Sequence, residues 1–122
     1  MSNEKAIVGI VDDDPKIRIA MARLLSAIGY GAETFDSAET FLLCASTSKA
    51  TCLLVDIQLG DISGIELAHQ LATNGFKYPI IFMTRLNDEV VRSQAADAGG
   101  IAFLHKPFPA KMLMDAIKLA IG

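Results

Sequence analysis

Short apolar runs alternate along the chain with longer stretches in which apolar positions recur every three or four residues. Ala6-Ile7-Val8-Gly9-Ile10-Val11 has no polar interruption, the pattern of a strand buried on both faces. Asp14-Pro15 predicts a helix start, Asp as N-cap and Pro at the first helical position. The stripe Ile17, Met21, Leu24, Leu25 and Ile28 follows at helical spacing, and Gly29 ends it. A weaker strand is expected at Gly31 to Phe35, then a helix from Asp36-Ser37 to about Ala45. Thr51 to Val55 reads as a third strand with Asp56 at its end. After a loop, Ser63-Gly64-Ile65-Glu66 has the form of a capping box opening a third helix to Asn74-Gly75. Pro79 to Met83 predicts a fourth strand tipped by Thr84, and Asn87 is the expected cap of a polar, alanine-rich helix that stops at Gly99-Gly100. Ile101 to Leu104 is the fifth strand, Lys106-Pro107 follows it, and Pro109 to Ile121 completes the pattern as a helix.

Strands alternating with helices imply an α/β fold, a parallel sheet covered on both faces by right-handed crossovers. No repeat, linker or low-complexity tract divides residues 1–122, so one domain is expected. An apolar content of 52% is too high for a disordered chain. The net charge of −3, without clustered Lys or Arg, gives no nucleic-acid footprint. No apolar run approaches the ~20 residues of a membrane span, and the one near the N-terminus is too short for a signal-peptide core. Cys44 and Cys52 form no Cys-x-x-Cys pair and read as small buried hydrophobes in a reducing compartment. A cytoplasmic location without membrane contact is the expectation.

In open parallel sheets, ligands bind outside the carboxyl ends of the strands. Those ends carry Asp12 and Asp13, Asp56, Thr84 and Lys106. Three carboxylates on one rim repel each other, and a hard cation would relieve that repulsion. Mg²⁺ takes oxygen ligands and keeps several waters, so a partial cage of acids suits it, and it would neutralise phosphate oxygens alongside. Lys106 could pair with a phosphate oxygen, Thr84 could donate to another, and an exposed carboxylate could accept a phosphoryl group as an acyl phosphate. Asp12 and Asp13, adjacent and before a helix, read as metal holders, which leaves Asp56 as the nucleophile. A plainer reading stays open at each position: Asp14 suffices as a helix cap, and Asp56 alone could be a strand-terminating loop residue.

The sequence resembles response-regulator receiver domains of two-component signalling. The marks are Val11-Asp12-Asp13-Asp14, Val55-Asp56 with Gly64 eight residues on, Met83-Thr84, and Lys106-Pro107-Phe108, and the likeness covers essentially the whole chain. It implies a flavodoxin-like (βα)5 fold, strand order 2-1-3-4-5. It implies that Asp56 takes a phosphoryl group from a sensor histidine kinase or phosphotransfer protein. The metal would be Mg²⁺, held by Asp12, Asp13, Asp56 and the carbonyl of Gln58. Thr84 would be the switch hydroxyl, Phe103 the aromatic that moves with it, and Lys106 the phosphate-pairing cation, with the Lys106-Pro107 bond cis. The readout would be the surface of the fourth helix, fifth strand and fifth helix, with phosphorylation-linked homodimerisation a possibility. Such a domain is no enzyme beyond its own phosphorylation and dephosphorylation.

Ser37 to Leu42 and Lys106-Pro107-Phe108 are also similar to receivers that carry helix-turn-helix transcription outputs of the nitrogen-fixation type. Two positions depart from the family pattern. Gly60 stands where Pro is usual and permits more backbone freedom, and Arg85 follows the switch hydroxyl where a small residue is usual. Arg85 is expected to restrict access to Asp56 or to pair with Asp61. The alternative function is therefore a degenerate receiver-like interaction module in which these departures have disabled phosphotransfer.

Overall fold

A computed structural model describes residues 5–121. Its elements are β1 (Ile7–Val11), α1 (Pro15–Ala27), β2 (Gly31–Phe35), α2 (Ala38–Cys44), β3 (Cys52–Asp56), α3 (Gly64–Thr73), β4 (Ile80–Thr84), α4 (Glu89–Asp97), β5 (Gly100–His105) and α5 (Ala110–Ile121). All strand pairings are parallel and the order is β2-β1-β3-β4-β5, the flavodoxin-like arrangement expected.

The uninterrupted apolar strands feed two cores, because successive side chains leave opposite faces of the sheet. Val8, Ile10, Cys52, Leu54, Ile81, Met83 and Leu104 pack with Leu25 of α1 and Leu113, Ala116 and Ile117 of α5. Val11, Leu53, Val55, Ile80 and Phe82 face the other way, against Phe41 of α2, Leu67 and Leu71 of α3 and Ala95 of α4. Cys52 lies in the first core and Cys44 beside the second, so the sheet separates the two thiols and both are free. Burial pushes the Cys52 thiol up to about 11, the value of an unreactive, neutral group.

Helix starts follow local chemistry. Asp14 caps α1 by accepting the Lys16 N–H, with Pro15 next, and Gly29 follows at φ 97, a conformation that favours glycine. Of the predicted α1 stripe, Leu25 is fully buried, and Ile17, Met21, Leu24 and Ile28 pack partly buried against the same core. Two details differ from expectation. The cap of α4 is Asp88, not Asn87: its carboxylate accepts the N–H groups of Val90 and Val91, and a charged acceptor suits the positive helix end. At α3, Ser63 accepts the Glu66 N–H, but the Glu66 carboxylate bonds to Gln70 one turn on, so the box is half formed.

Candidate functional site

The same two-residue period that sorts the cores aims the polar residues at the strand ends. Asp12 and Asp56 continue the side-chain alternation of Ile10 and Leu54, and Lys106 that of Leu104, toward the α1/α5 face. Thr84 continues that of Phe82, toward the α4 face, where Phe103 also packs. The backbone ladder holds these ends together: the Asp12 N–H donates to Phe35 O, the Ile57 N–H to Met83 O, and the Lys106 N–H to Thr84 O at 2.7 Å.

Lys106 Nζ donates to Asp12 Oδ2 at 2.9 Å and to Asp56 Oδ2 at 3.1 Å. These are the only lysine or arginine ion pairs with a carboxylate among the described residues. The Asp12 side chain is 1% exposed and that of Asp56 9%. Asp12 Oδ1 accepts the Asp14 N–H and Asp56 Oδ1 the Gln58 N–H. Asp13 is exposed, and Asp12, Asp13 and Asp56 each present an oxygen within 4.8 Å of the other two. Burial raises the Asp56 carboxyl above the usual carboxylate range; the Asp12 charge adds to the rise, and Lys106 and the Gln58 N–H oppose it without cancelling it.

Thr84 is fully buried, and its hydroxyl donates to Gln58 Oε1 at 2.8 Å and accepts the Leu86 N–H at 3.0 Å. The Arg92 guanidinium lies 5.2 Å over the ring of half-buried Phe103, beside a cavity of about 230 Å³ between α4 and β5. A second cavity, of about 330 Å³, opens onto the acids themselves and is lined by Asp12, Asp13, Asp56, Gln58, Arg85 and Lys106.

Asp12, Asp13, Asp56 and Lys106 thus converge, Thr84 joins them through Gln58, and Phe103 lies on the opposite face of the sheet, on the α4 side. Arg85 does line the rim, but it is exposed and makes no ion pair with Asp61. Gly60 is not among the glycines with positive φ, and a Cβ there would meet open space, so its extra freedom is not used. The Lys106-Pro107 bond is cis.

Three participants escaped the sequence reading. Arg18 Nη1 donates to the Asp12 carbonyl at 2.8 Å; its place four residues after the Asp14 cap, over the start of the helix, was the available signal. The Gln58 side chain carries no signal in the sequence, because a flexible amide on an exposed loop residue has no partner fixed by its position. Gly64 was read as a spacing mark, yet it is a packing contact: a Cβ there would strike the Asp56 carbonyl and meet Val55 Cγ1 at 2.9 Å, so α3 abuts the backbone of the central acid.

A buried acid pair bridged by one ammonium thus lies at the carboxyl ends of a 2-1-3-4-5 sheet, where open α/β sheets of the flavodoxin-like class place their ligands. Residues 8–118 match the family model of the response regulator receiver domain. The transcriptional regulatory protein TdiR of Thauera aromatica is 34% identical over 94% of the chain and 51% of its own length. The transcriptional regulatory protein FixJ of Rhizobium meliloti (strain 1021) is 33% identical over 93% and 55%. The crystal structure of FixJ-N superposes with a TM-score of 0.90 at 31% identity, covering 99% of this chain and 95% of that one. The chain belongs to the response-regulator receiver family. It spans about half the length of the curated relatives it matches.

Proposed function

We propose that Asp56 is the phosphoacceptor of this receiver domain and that Asp12, Asp13, Thr84 and Lys106 serve its chemistry. The observation that carries the proposal is the ammonium of Lys106 held between Asp12 and Asp56 at 2.9 and 3.1 Å, with Asp13 at their edge. The all-oxygen donor set fits Mg²⁺, which Asp12, Asp13, Asp56 and the Gln58 carbonyl would hold. When bound, the ion supplies charge neutralisation for phosphate oxygens.

An Asp56 carboxylate oxygen attacks the phosphorus of a phosphohistidine on a sensor kinase or phosphotransfer partner. The O–P bond forms as the P–N bond breaks, and the electron pair leaves on the imidazole nitrogen, which takes a proton from water. Lys106 then exchanges part of its carboxylate pairing for a phosphoryl oxygen. The added dianion draws the Thr84 hydroxyl, and Phe103 follows into the space beside α4, altering the α4-β5-α5 surface. That surface would act on an output segment or partner, with homodimerisation one form. A cytoplasmic setting accords with membership of the response-regulator family; among the described residues no helix is long and apolar enough to cross a membrane, and both cysteines are free.

The test is phosphate incorporation from acetyl phosphate. Labelling should require Mg²⁺, stop with a chelator, and be lost in Asp56→Asn. A wild-type chain that takes up no phosphate under any of these conditions would support the disabled interaction module instead.

A further inference from the structure

We infer that Gln58 is a positioning residue, a latch that holds the Thr84 hydroxyl in the unphosphorylated state and must release it for the switch to turn. The inference rests on the phosphoacceptor reading above. A threonine hydroxyl has one proton, and here it is donated to Gln58 Oε1 at 2.8 Å. Thr84 therefore cannot donate to a phosphoryl oxygen without giving up that bond. The two ends of the latch sit in different surroundings. Thr84 is fully buried, so its O–H would go unpartnered without Gln58, whereas Gln58 is exposed and its freed amide returns to water at little cost.

The residue is placed to couple the two halves of the site. Its backbone N–H donates to Asp56 Oδ1 at 3.0 Å while its side chain holds Thr84, so one loop residue touches both the acceptor carboxylate and the switch hydroxyl. The hydroxyl oxygen also accepts the Leu86 N–H, so release of Thr84 frees the loop that leads into α4. A ligand shifts a two-state equilibrium only by its differential affinity, and the latch bond is made in one state alone. Removing it raises the resting state relative to the switched one, and a phosphoryl mimic should then bind more tightly.

The experiment is a double-mutant cycle on binding of beryllium fluoride with Mg²⁺, using wild type, Gln58→Leu, Thr84→Val and the double variant. Gln58→Leu should tighten binding about threefold to tenfold, the equilibrium weight of one hydrogen bond. In the Thr84→Val background the same change should have no effect. An equal effect in both backgrounds, or none in the first, would overturn the latch. In the metal-free protein the Thr84 hydroxyl proton should exchange slowly in wild type and faster in Gln58→Leu; equal exchange contradicts the proposal through the free protein alone. Failure of wild type to bind the probe would overturn the phosphoacceptor assignment together with the latch, whereas binding without coupling overturns only the latch.

Discussion

Helices α4 and α5 flank the same strand, β5, from opposite faces of the sheet, and they are held very differently. α5 inserts Leu113, Ala116 and Ile117 into the core, two of them with no exposed surface. α4 buries Ala95 alone, and its Val90 is 65% exposed. A buried leucine contributes about 2 kcal/mol by area removed from water and an alanine methyl under about 1 kcal/mol, so α4 has the weaker grip. The polar residues divide along the same line. Asp12, Asp56 and Lys106 lie on the α1/α5 side, with Lys106 donating to both acids, while Thr84 and Phe103 lie on the α4 side. The fixed charges thus sit over the firmly packed face, and the groups proposed to move sit over the loosely packed one. Low local stability is what a moving element requires.

The contrast can be broken most visibly by truncation. Leu113→Ala should lower unfolding stability by about 3 kcal/mol, and Val90→Ala by no more than about 0.5 kcal/mol, both read by urea denaturation. Similar losses at the two positions would erase the distinction between the helices.

A smaller effect is expected where α3 meets the central acid. Gly64→Ala forces a methyl against the Asp56 carbonyl and should cost about 2 kcal/mol, with a shift in the Asp56 and Ile57 amide resonances. An unperturbed variant would show that α3 does not abut the acceptor backbone.

The smallest effect reports the strain of the charged cluster. With the folded Asp56 carboxyl raised, the native state binds its proton more tightly than the unfolded chain does. The stability from this group is full below the usual carboxylate range and is lost as pH rises through the raised folded value. Asp56→Asn should therefore stabilise the fold by about 1 kcal/mol at neutral pH, and the gain should shrink as pH falls into the carboxylate range. A gain independent of pH, or a loss at neutral pH, contradicts the assigned direction.

The period of the sequence carried most of this architecture. Apolar runs at Ala6–Val11, Thr51–Val55 and Pro79–Met83 marked buried strands, and the polar residues after them lay where an α/β sheet places ligands. What stayed illegible was the set of contacts made by flexible or ambiguous groups. Asn87 and Asp88 are both good caps, and which one is used depends on where the chain leaves β4. The Gln58 side chain could point anywhere until the β3 and β4 ends were set beside each other. Arg85 drew attention by its bulk, yet nothing in its neighbours told whether it would reach Asp61. The division into a charged side and a switch side needed only the parity of residues 12, 56, 84 and 106 within their own strands, and that parity was already present in the residue order.

Central to this account is a phosphoryl group on one carboxylate among three. Peptide mapping by mass spectrometry after Mg²⁺-dependent labelling with acetyl phosphate tests it most directly. The account predicts that the acyl phosphate is found on the peptide containing Asp56 and nowhere else. Label on Asp12 or Asp13, or label that persists in Asp56→Asn, would contradict it.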